Sequence, residues 1–144
     1  MLTGVDKIVS VMAGSVIWLD CSDLGRENDN LIQIGWRKNY TKFYNQYPLL
    51  HNNPIPRPSG RLANTSLGQE MGRRVKEGML GQISIVPALP SDQGFYLCES
   101  ARMKDNSGST TYNRKSFIVV VGKFVTYVLD VYTIINIYTC YCNM

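Results

Sequence analysis

Cysteine and histidine are the residue types that most often carry nucleophilic or metal chemistry, and this 144-residue chain has few of them. Its single histidine, His51, lies among asparagines and prolines with no cysteine or serine motif nearby. The sequence contains no G-x-S-x-G, no glycine-rich phosphate loop and no H-E-x-x-H. We therefore expect a protein that is not an enzyme, with no catalytic residues, no cofactor and no metal site.

The four cysteines form two different pairs. Cys21 and Cys98 lie 77 positions apart, a separation that matches no metal-ligand pattern and is typical of one disulfide in an oxidising compartment. A disulfide that closes so long a loop would stabilise the fold by about 4 kcal/mol in the chain-entropy model. Cys140 and Cys142 form a C-x-C pair without further ligands nearby, so we expect no metal there either.

The charge of the chain is mild and dispersed. The net charge is +4, and no run of lysine and arginine is longer than two residues. Nucleic-acid binding requires clustered basic residues and a matching motif, so we expect a solvated surface and no nucleic-acid partner. The length is sufficient for one domain with a sizeable core and a short extension.

Short strands separated by turn-rich segments must position these residues. The sequence predicts strands within residues 5–21, 31–39, 79–86, 94–103 and 114–121, and loops at 22–30 and 104–113. Residues 39–70 contain prolines at positions 48, 54, 56 and 58, a composition that excludes a helix and leaves room for short edge strands such as 41–47. No convincing helical period occurs before residue 116, so the pattern predicts an all-β sandwich or barrel.

Alternation within the strands predicts which side chains face a core. In the first strand Ile17, Leu19 and Cys21 share one face, and Val16, Trp18 and Asp20 share the other. In the second strand the predicted inward residues are Ile32, Ile34 and Trp36, and the predicted outward residues are Gln33, Gly35 and Arg37.

Several of the inward residues together resemble the signature of the immunoglobulin superfamily. Cys21 and Trp36 are followed by the motif D-x-G-x-Y-x-C, which consists of Asp92, Gly94, Tyr96 and Cys98. The resemblance covers roughly residues 5–121 and implies an immunoglobulin-like Greek-key β-sandwich, in which Cys21 and Cys98 form one inter-sheet disulfide and Trp36 packs against it. The stretch from Trp36 to Arg73 leaves room for two extra strands, which favours the variable (V-set) type over the intermediate set. The last strand lacks the G-x-G motif of antigen-receptor variable segments, which argues against that subfamily.

The resemblance implies a role for the other signature residues. Tyr96 would be the tyrosine corner, whose hydroxyl bonds to backbone a few residues upstream, and Gly94 would leave room at that corner. Asp92 would form a salt bridge with an arginine at the start of a strand that precedes residue 79. Arg73 and Arg74 both stand near that place, and we favour Arg74.

The outward residues of the same strands form the expected partner-binding face. In the family this sheet face is the usual binding surface, together with the loop at 104–113. The residues that we expect on it are Gln33, Arg37, Phe95, Leu97 and Glu99. The alternative is that Phe43, Tyr44 or Tyr47 of the same chain covers its apolar residues.

Two N-glycosylation sequons, at Asn39 and Asn64, fall in predicted loops. Asn39 shares its outward direction with Arg37, so a glycan there would project near the expected binding face. We expect such a glycan to hinder side-by-side pairing of two copies of the chain.

Residues 122–144 form an apolar tail after the domain. Its segment 124–142 is near the minimum length of a transmembrane helix, yet Asp130 lies within it, and threonine and tyrosine stand where leucine is expected. Three interpretations stay open. The tail is a membrane anchor with Cys140 and Cys142 as palmitoylation sites, the start of a truncated second domain, or non-native sequence without structure.

These patterns predict an extracellular protein-binding module of a cell-surface receptor or adhesion protein. The alternatives are a secreted soluble immune-type binding protein and a structural spacer domain of a larger multidomain chain. The expected partner is another protein, and a weak homodimer is a further option. The expected location is extracellular or at the cell surface. No apolar stretch of signal-peptide length follows Met1, so we expect the chain to be a fragment or an incomplete gene model.

Overall fold

The computed structural model describes residues 4–25, 30–48, 59–104 and 107–122. The predictions for His51 and for the tail after residue 122 lie outside these residues. Within the described part, nine strands form two sheets, and two short α-helices and one 3₁₀-helix (Pro90–Asp92) lie between strands. The strands are β1 Lys7–Met12, β2 Ile17–Asp20, β3 Leu31–Lys38, β4 Thr41–Tyr47, β5 Ser59–Leu62, β6 Val75–Glu77, β7 Gln82–Ile85, β8 Gly94–Met103 and β9 Thr110–Gly122. The α-helices are α1 Ser22–Gly25 and α2 Ser66–Met71.

The two sheets are unequal in size. The larger sheet has six strands in the order β1-β9-β8-β3-β4-β5, and the smaller has three in the order β2-β7-β6. β1 runs parallel to β9, and every other pair is antiparallel. This arrangement confirms the predicted all-β sandwich, and β4 and β5 are the two extra strands that the V-set resemblance implies.

A disulfide and a tryptophan occupy the space between the sheets. Cys21, directly after β2, is bonded to Cys98 on β8, with their Cα atoms 6.7 Å apart, which confirms the predicted inter-sheet disulfide. Trp36 stands opposite Cys98 in the register of β3 and β8, so its side chain lies on the same face of the sheet. Its ring centroid lies 6.5 Å from that of Phe117, and both side chains are buried.

A buried glutamine connects the larger sheet to the start of β7 in the smaller sheet. Gln46 of β4 is fully buried, and its Oε1 accepts hydrogen bonds from Trp36 Nε1 and from the backbone N–H of Gly81, each at 3.1 Å. Its Nε2 donates to the carbonyl of Gln82 at 3.2 Å. The sequence analysis missed this residue because alternation alone does not distinguish a buried polar side chain from an exposed one.

The D-x-G-x-Y-x-C segment forms a second inter-sheet tie. Arg74 donates to Asp92 through Nη1–Oδ2 at 2.6 Å and Nη2–Oδ1 at 2.8 Å, and the hydrogen bond with Asp92 is the main cause that raises the pKa of Arg74. Asp92 Oδ2 also accepts the N–H of Leu89 at 2.7 Å. The hydroxyl of Tyr96 donates to the carbonyl of Asp92 at 2.6 Å, and burial raises the pKa of that hydroxyl.

The structure corrects the predicted direction of Ile32, which is exposed. The pairing of β3 with β8 is irregular between Leu31 and Gln33, so Leu31 takes the buried place that strict alternation assigned to Ile32. Ile34 and Trp36, beyond the irregularity, are buried as predicted.

The structure also corrects the prediction that residues 39–70 contain no helix. α2 begins after Thr65, whose Oγ1 accepts the N–H of Gly68 at 3.0 Å and donates to the carbonyl of Lys42 at 2.7 Å. The prolines that argued against a helix all precede this N-cap.

Three smaller predictions about individual elements were also wrong. β4 is not an edge strand, because β5 pairs with its other side. α1 lies in the predicted loop 22–30. β9 pairs with β8 from Thr110 onward, so the connection between these strands is residues 104–109 rather than 104–113.

We predict that Asp92→Asn lowers the free energy of unfolding by about 3 kcal/mol, because it leaves the Arg74 guanidinium without its carboxylate in a largely buried place. Urea denaturation of the purified chain measures this change. Arg73→Ala, at the exposed neighbouring position, is the matched control and should alter stability by less than about 0.5 kcal/mol. Equal losses in Arg73→Ala and Arg74→Ala would contradict the assignment of the salt bridge to Arg74.

We predict that Gln46→Leu destabilises the chain by about 3 kcal/mol, because Trp36 Nε1 and the N–H of Gly81 both lose their acceptor inside the core. The same measurement on Gln69→Leu, an exposed glutamine of α2, should show a change within about 0.5 kcal/mol. A Gln46→Leu variant as stable as the parent chain would show that these bonds contribute nothing net.

Candidate functional site

The larger sheet has one face that points away from the core, and we call it the outer face. Side chains alternate along a strand, so residues between the buried positions of β3 and β8 lie on this face. The structure places all five residues of the predicted binding face there, and each is half-buried. They are Gln33, Arg37, Phe95, Leu97 and Glu99. The register brings Arg37 directly opposite Leu97.

The side of the outer face towards β1 is apolar. The rings of Phe95 and Tyr40 have centroids 5.5 Å apart, and Tyr40 is 74% exposed. Phe95 is paired with Ile118 on β9, and Ile118 is paired with Ile8 on β1, which is 63% exposed. Cross-strand partners share a face, so these four residues and Leu97 form one continuous surface, which we call the apolar strip.

The apolar strip is not covered by the residues that the alternative named. Phe43 and Tyr44 are buried on the inner face, where the ring of Phe43 meets that of Tyr96 edge-on at 6.0 Å. The physical reason is an irregularity in the pairing of β3 with β4 after Trp36, which turns Phe43 inward beside Tyr44. Tyr47 lies on β4, and β3 separates that strand from β8. The chain's own contact with Phe95 comes instead from Tyr40, which the sequence analysis missed.

The side of the outer face towards β5 is basic. Arg37, Lys42 and Arg61 project from β3, β4 and β5, and the described residues of these three strands place no carboxylate on that face. We call this part the basic half. On the neighbouring strands, the carboxylate of Glu99 is paired with Arg114. These three cations give the basic half a positive potential, which attracts negative charge.

A second carboxylate stands at the far edge of the outer face. Asp6 Oδ2 accepts the N–H of Ser116 at 2.8 Å and its hydroxyl at 3.0 Å. These hydrogen bonds lower the pKa of Asp6 below its ordinary value. They hold Asp6 beside β9, three strands away from Lys42 on β4.

Both sequon asparagines are exposed. Asn39 and Tyr40 form the two-residue turn between β3 and β4, with φ of 45° and 69°, a conformation that asparagine tolerates well. Asn39 Oδ1 accepts the N–H of Phe95 at 3.0 Å. A side chain at Gly94 would collide with this amide, since its Cβ would lie 2.8 Å from Oδ1. Glycosylation of Asn39 and Asn64 stays a prediction. A glycan on Asn39 would project into solvent from a position beside the apolar strip.

Neither a cluster of metal ligands nor a membrane-spanning helix occurs in the described part of the chain. No group of three or more histidine, cysteine or acidic side chains stands close enough together there to hold a metal ion. No helix among these residues is long and apolar enough to cross a membrane, and the segment 124–142 lies outside them.

Solved structures with a similar fold include a crystal structure of CD84, the V domain of amphioxus IgVJ-C2, and murine CRIg. The CD84 structure has a TM-score of 0.57 and 16% identity, over 80% of this chain and 97% of that one. The amphioxus V domain has a TM-score of 0.51 and 18% identity, over 78% and 98% of the two chains. Murine CRIg has a TM-score of 0.54 and 12% identity, over 81% and 92%. No family model and no curated protein matches the chain.

At these identities the likeness concerns the fold. It agrees with three independent observations, namely the parallel pairing of β1 with β9, the two extra strands β4 and β5, and the disulfide beside Trp36. The chain therefore has the fold of an immunoglobulin domain of the variable, V-set-like type.

Proposed function

We propose that residues 5–121 are the extracellular protein-binding module of a cell-surface receptor or adhesion protein, and that the outer face binds the partner. The observation that carries this proposal is the apolar strip, which lies beside a basic half without a carboxylate among the described residues. Protein interfaces combine an aromatic centre with arginine-rich surroundings, and the outer face has both. It is a binding surface rather than a reaction site.

The extracellular location is supported by the disulfide. Bonds such as Cys21–Cys98 persist in secreted and cell-surface proteins and are rare in the reducing cytosol. The exposure of both sequon asparagines is compatible with the same compartment.

The charge distribution supports a partner with an acidic surface. The net charge of the chain is +4, and Arg37, Lys42 and Arg61 lie together on the basic half. A second copy of the chain would bring the same cations face to face, so charge disfavours a homodimer through this half.

We predict that Leu97→Arg and Phe95→Glu each weaken partner binding by at least about tenfold, because hot-spot truncation at an interface centre commonly costs this much. The experiment screens the full chain against an array of cell-surface ectodomains and then titrates each hit with the variants. Trp18→Glu is the matched control, since Trp18 is 64% exposed but lies on the smaller sheet. Binding that resists both outer-face variants would favour the structural spacer interpretation or another surface.

We predict that association with this partner slows by roughly tenfold between about 50 mM and 500 mM NaCl, because screening removes the attraction of the basic half. Stopped-flow or surface-based kinetics measures the association rate constant. Arg61→Glu should reduce the salt dependence, whereas Lys76→Glu, an exposed lysine of β6 on the smaller sheet, should leave it unchanged. A rate that does not vary with salt would contradict an acidic partner.

A further inference from the structure

The outer face contains a buried amide oxygen that has no hydrogen-bond partner among the described residues. Asn45 of β4 is only 9% exposed, and its Oδ1 forms no hydrogen bond to any described residue. It stands between Gly35 on β3 and Arg61 on β5 in the register of the sheet, so it belongs to the basic half. Burying an acceptor without a donor costs free energy, and such an atom in a folded chain calls for an explanation.

Gly35 leaves no side chain on the outer face between Asn45 and Glu99, and we call this gap the depression. Gly35 has no side chain, and the point where its Cβ would sit lies 3.4 Å from Asn45 Oδ1. The same point lies 3.6 Å from Cε and 3.9 Å from Nζ of Lys42. Glu99 stands on the opposite side of Gly35, on β8. The Lys42 side chain therefore occupies the gap above Gly35 beside Asn45, and its ammonium forms no ion pair with a described residue.

A comparison with Ser100 shows why Asn45 is accessible to a partner. Ser100 Oγ is the other buried side-chain atom without a hydrogen bond among the described residues. Ser100 is paired with Ile34, whose side chain is fully buried, so its hydroxyl faces the interior of the sandwich. Asn45 faces outward under a lysine that can rotate away. A partner can therefore reach Asn45 but not Ser100.

We propose that this depression is a subsite for a carboxamide, the side chain of an asparagine or glutamine on the protein partner. The partner's amide displaces the Lys42 arm, donates an N–H to Asn45 Oδ1 and accepts a hydrogen bond from Lys42 Nζ. This inference rests on the proposed function, because it names the chemistry recognised on the same face.

The choice of a carboxamide follows from the two groups that must be matched. Asn45 Oδ1 needs a donor, and the Lys42 ammonium needs an acceptor. A carboxylate cannot donate, and a cationic side chain would be repelled by Arg37 and Arg61 as well as by Lys42. A hydroxyl must donate and accept through one oxygen atom. A carboxamide supplies the donor and the acceptor on two separate atoms in one plane.

The test uses the ¹⁵N-labelled chain and acetamide as the probe. We expect acetamide to produce saturable shifts of the Gly35 backbone amide and the Asn45 side-chain amide, and sodium acetate at matched ionic strength to saturate more weakly. Asn45→Leu should abolish the response at Gly35, and Ser100→Ala should retain it. Tighter saturation by acetate, or no saturable shift with either probe, would overturn the carboxamide subsite.

A stability measurement separates this role from a structural one. Because the Asn45 amide is unpaired in the free chain, Asn45→Leu should unfold at the same urea concentration as the parent chain or at a higher one, as should Ser100→Ala. A lower midpoint for Asn45→Leu alone would mean that the amide supports the fold, which contradicts the proposal.

The two proposals can fail separately. If Leu97→Arg weakens partner binding but acetamide does not bind, the outer face remains the binding surface and the carboxamide subsite is wrong. If acetamide binds at Asn45 but the outer-face variants leave partner binding unchanged, the subsite exists but does not serve the proposed function.

Discussion

The covalent tie between Cys21 and Cys98, with Trp36 beside it, is the constraint on which the rest of the structure depends. Two sheets of a sandwich pack about 10 Å apart, and this group fills that distance at the centre. Once the inner faces are joined, each strand has one set of alternate side chains in the core and the other set free. The outer face consists of the second set of side chains on the strands of the larger sheet.

The polar groups of the core strengthen the same division. Gln46 satisfies the indole N–H of Trp36 and the N–H of Gly81 at once, so a polar side chain connects the sheets without an unpaired atom of its own. Arg74 and Asp92 do the same near the opposite end, through two parallel hydrogen bonds. A buried network is favourable only when it is fully satisfied, and these two are. The Asn45 oxygen, by contrast, has no donor among the described residues, and it lies on the outer face rather than between the sheets.

The outer face combines two physical properties that act at different stages of binding. In the proposed function, the basic half would attract an acidic partner over several ångströms, whereas the apolar strip would contribute only after water has left the interface. A hydrogen bond to Asn45, beside Gly35, would form only when the Lys42 side chain has moved, so its formation would fall between these two stages. Specificity would then come from matching this one buried group rather than from area alone.

The sequence by itself determined the scaffold, because its signals are local. Alternation identified Ile17, Leu19, Ile34 and Trp36 as core residues, and the D-x-G-x-Y-x-C motif indicated the fold. Arg74 could be preferred over Arg73 only by resemblance, since adjacent residues share the same local pattern. The helix after Thr65 was missed because the prolines upstream dominated the composition of its segment.

Only the tertiary structure decided which residues the two faces display. Two irregularities in strand pairing turned Ile32 outward and Phe43 inward, and alternation cannot foresee an extra residue in a strand. The contact of Tyr40 with Phe95 joins residues 55 positions apart, and Asn45 lies over Gly35 only because β4 folds back on β3 in that register. Cross-strand contacts depend on register and bulges, which are set by how the whole sandwich packs. The sequence therefore defined most of the core, and the packing of the strands decided which side chains the outer face displays.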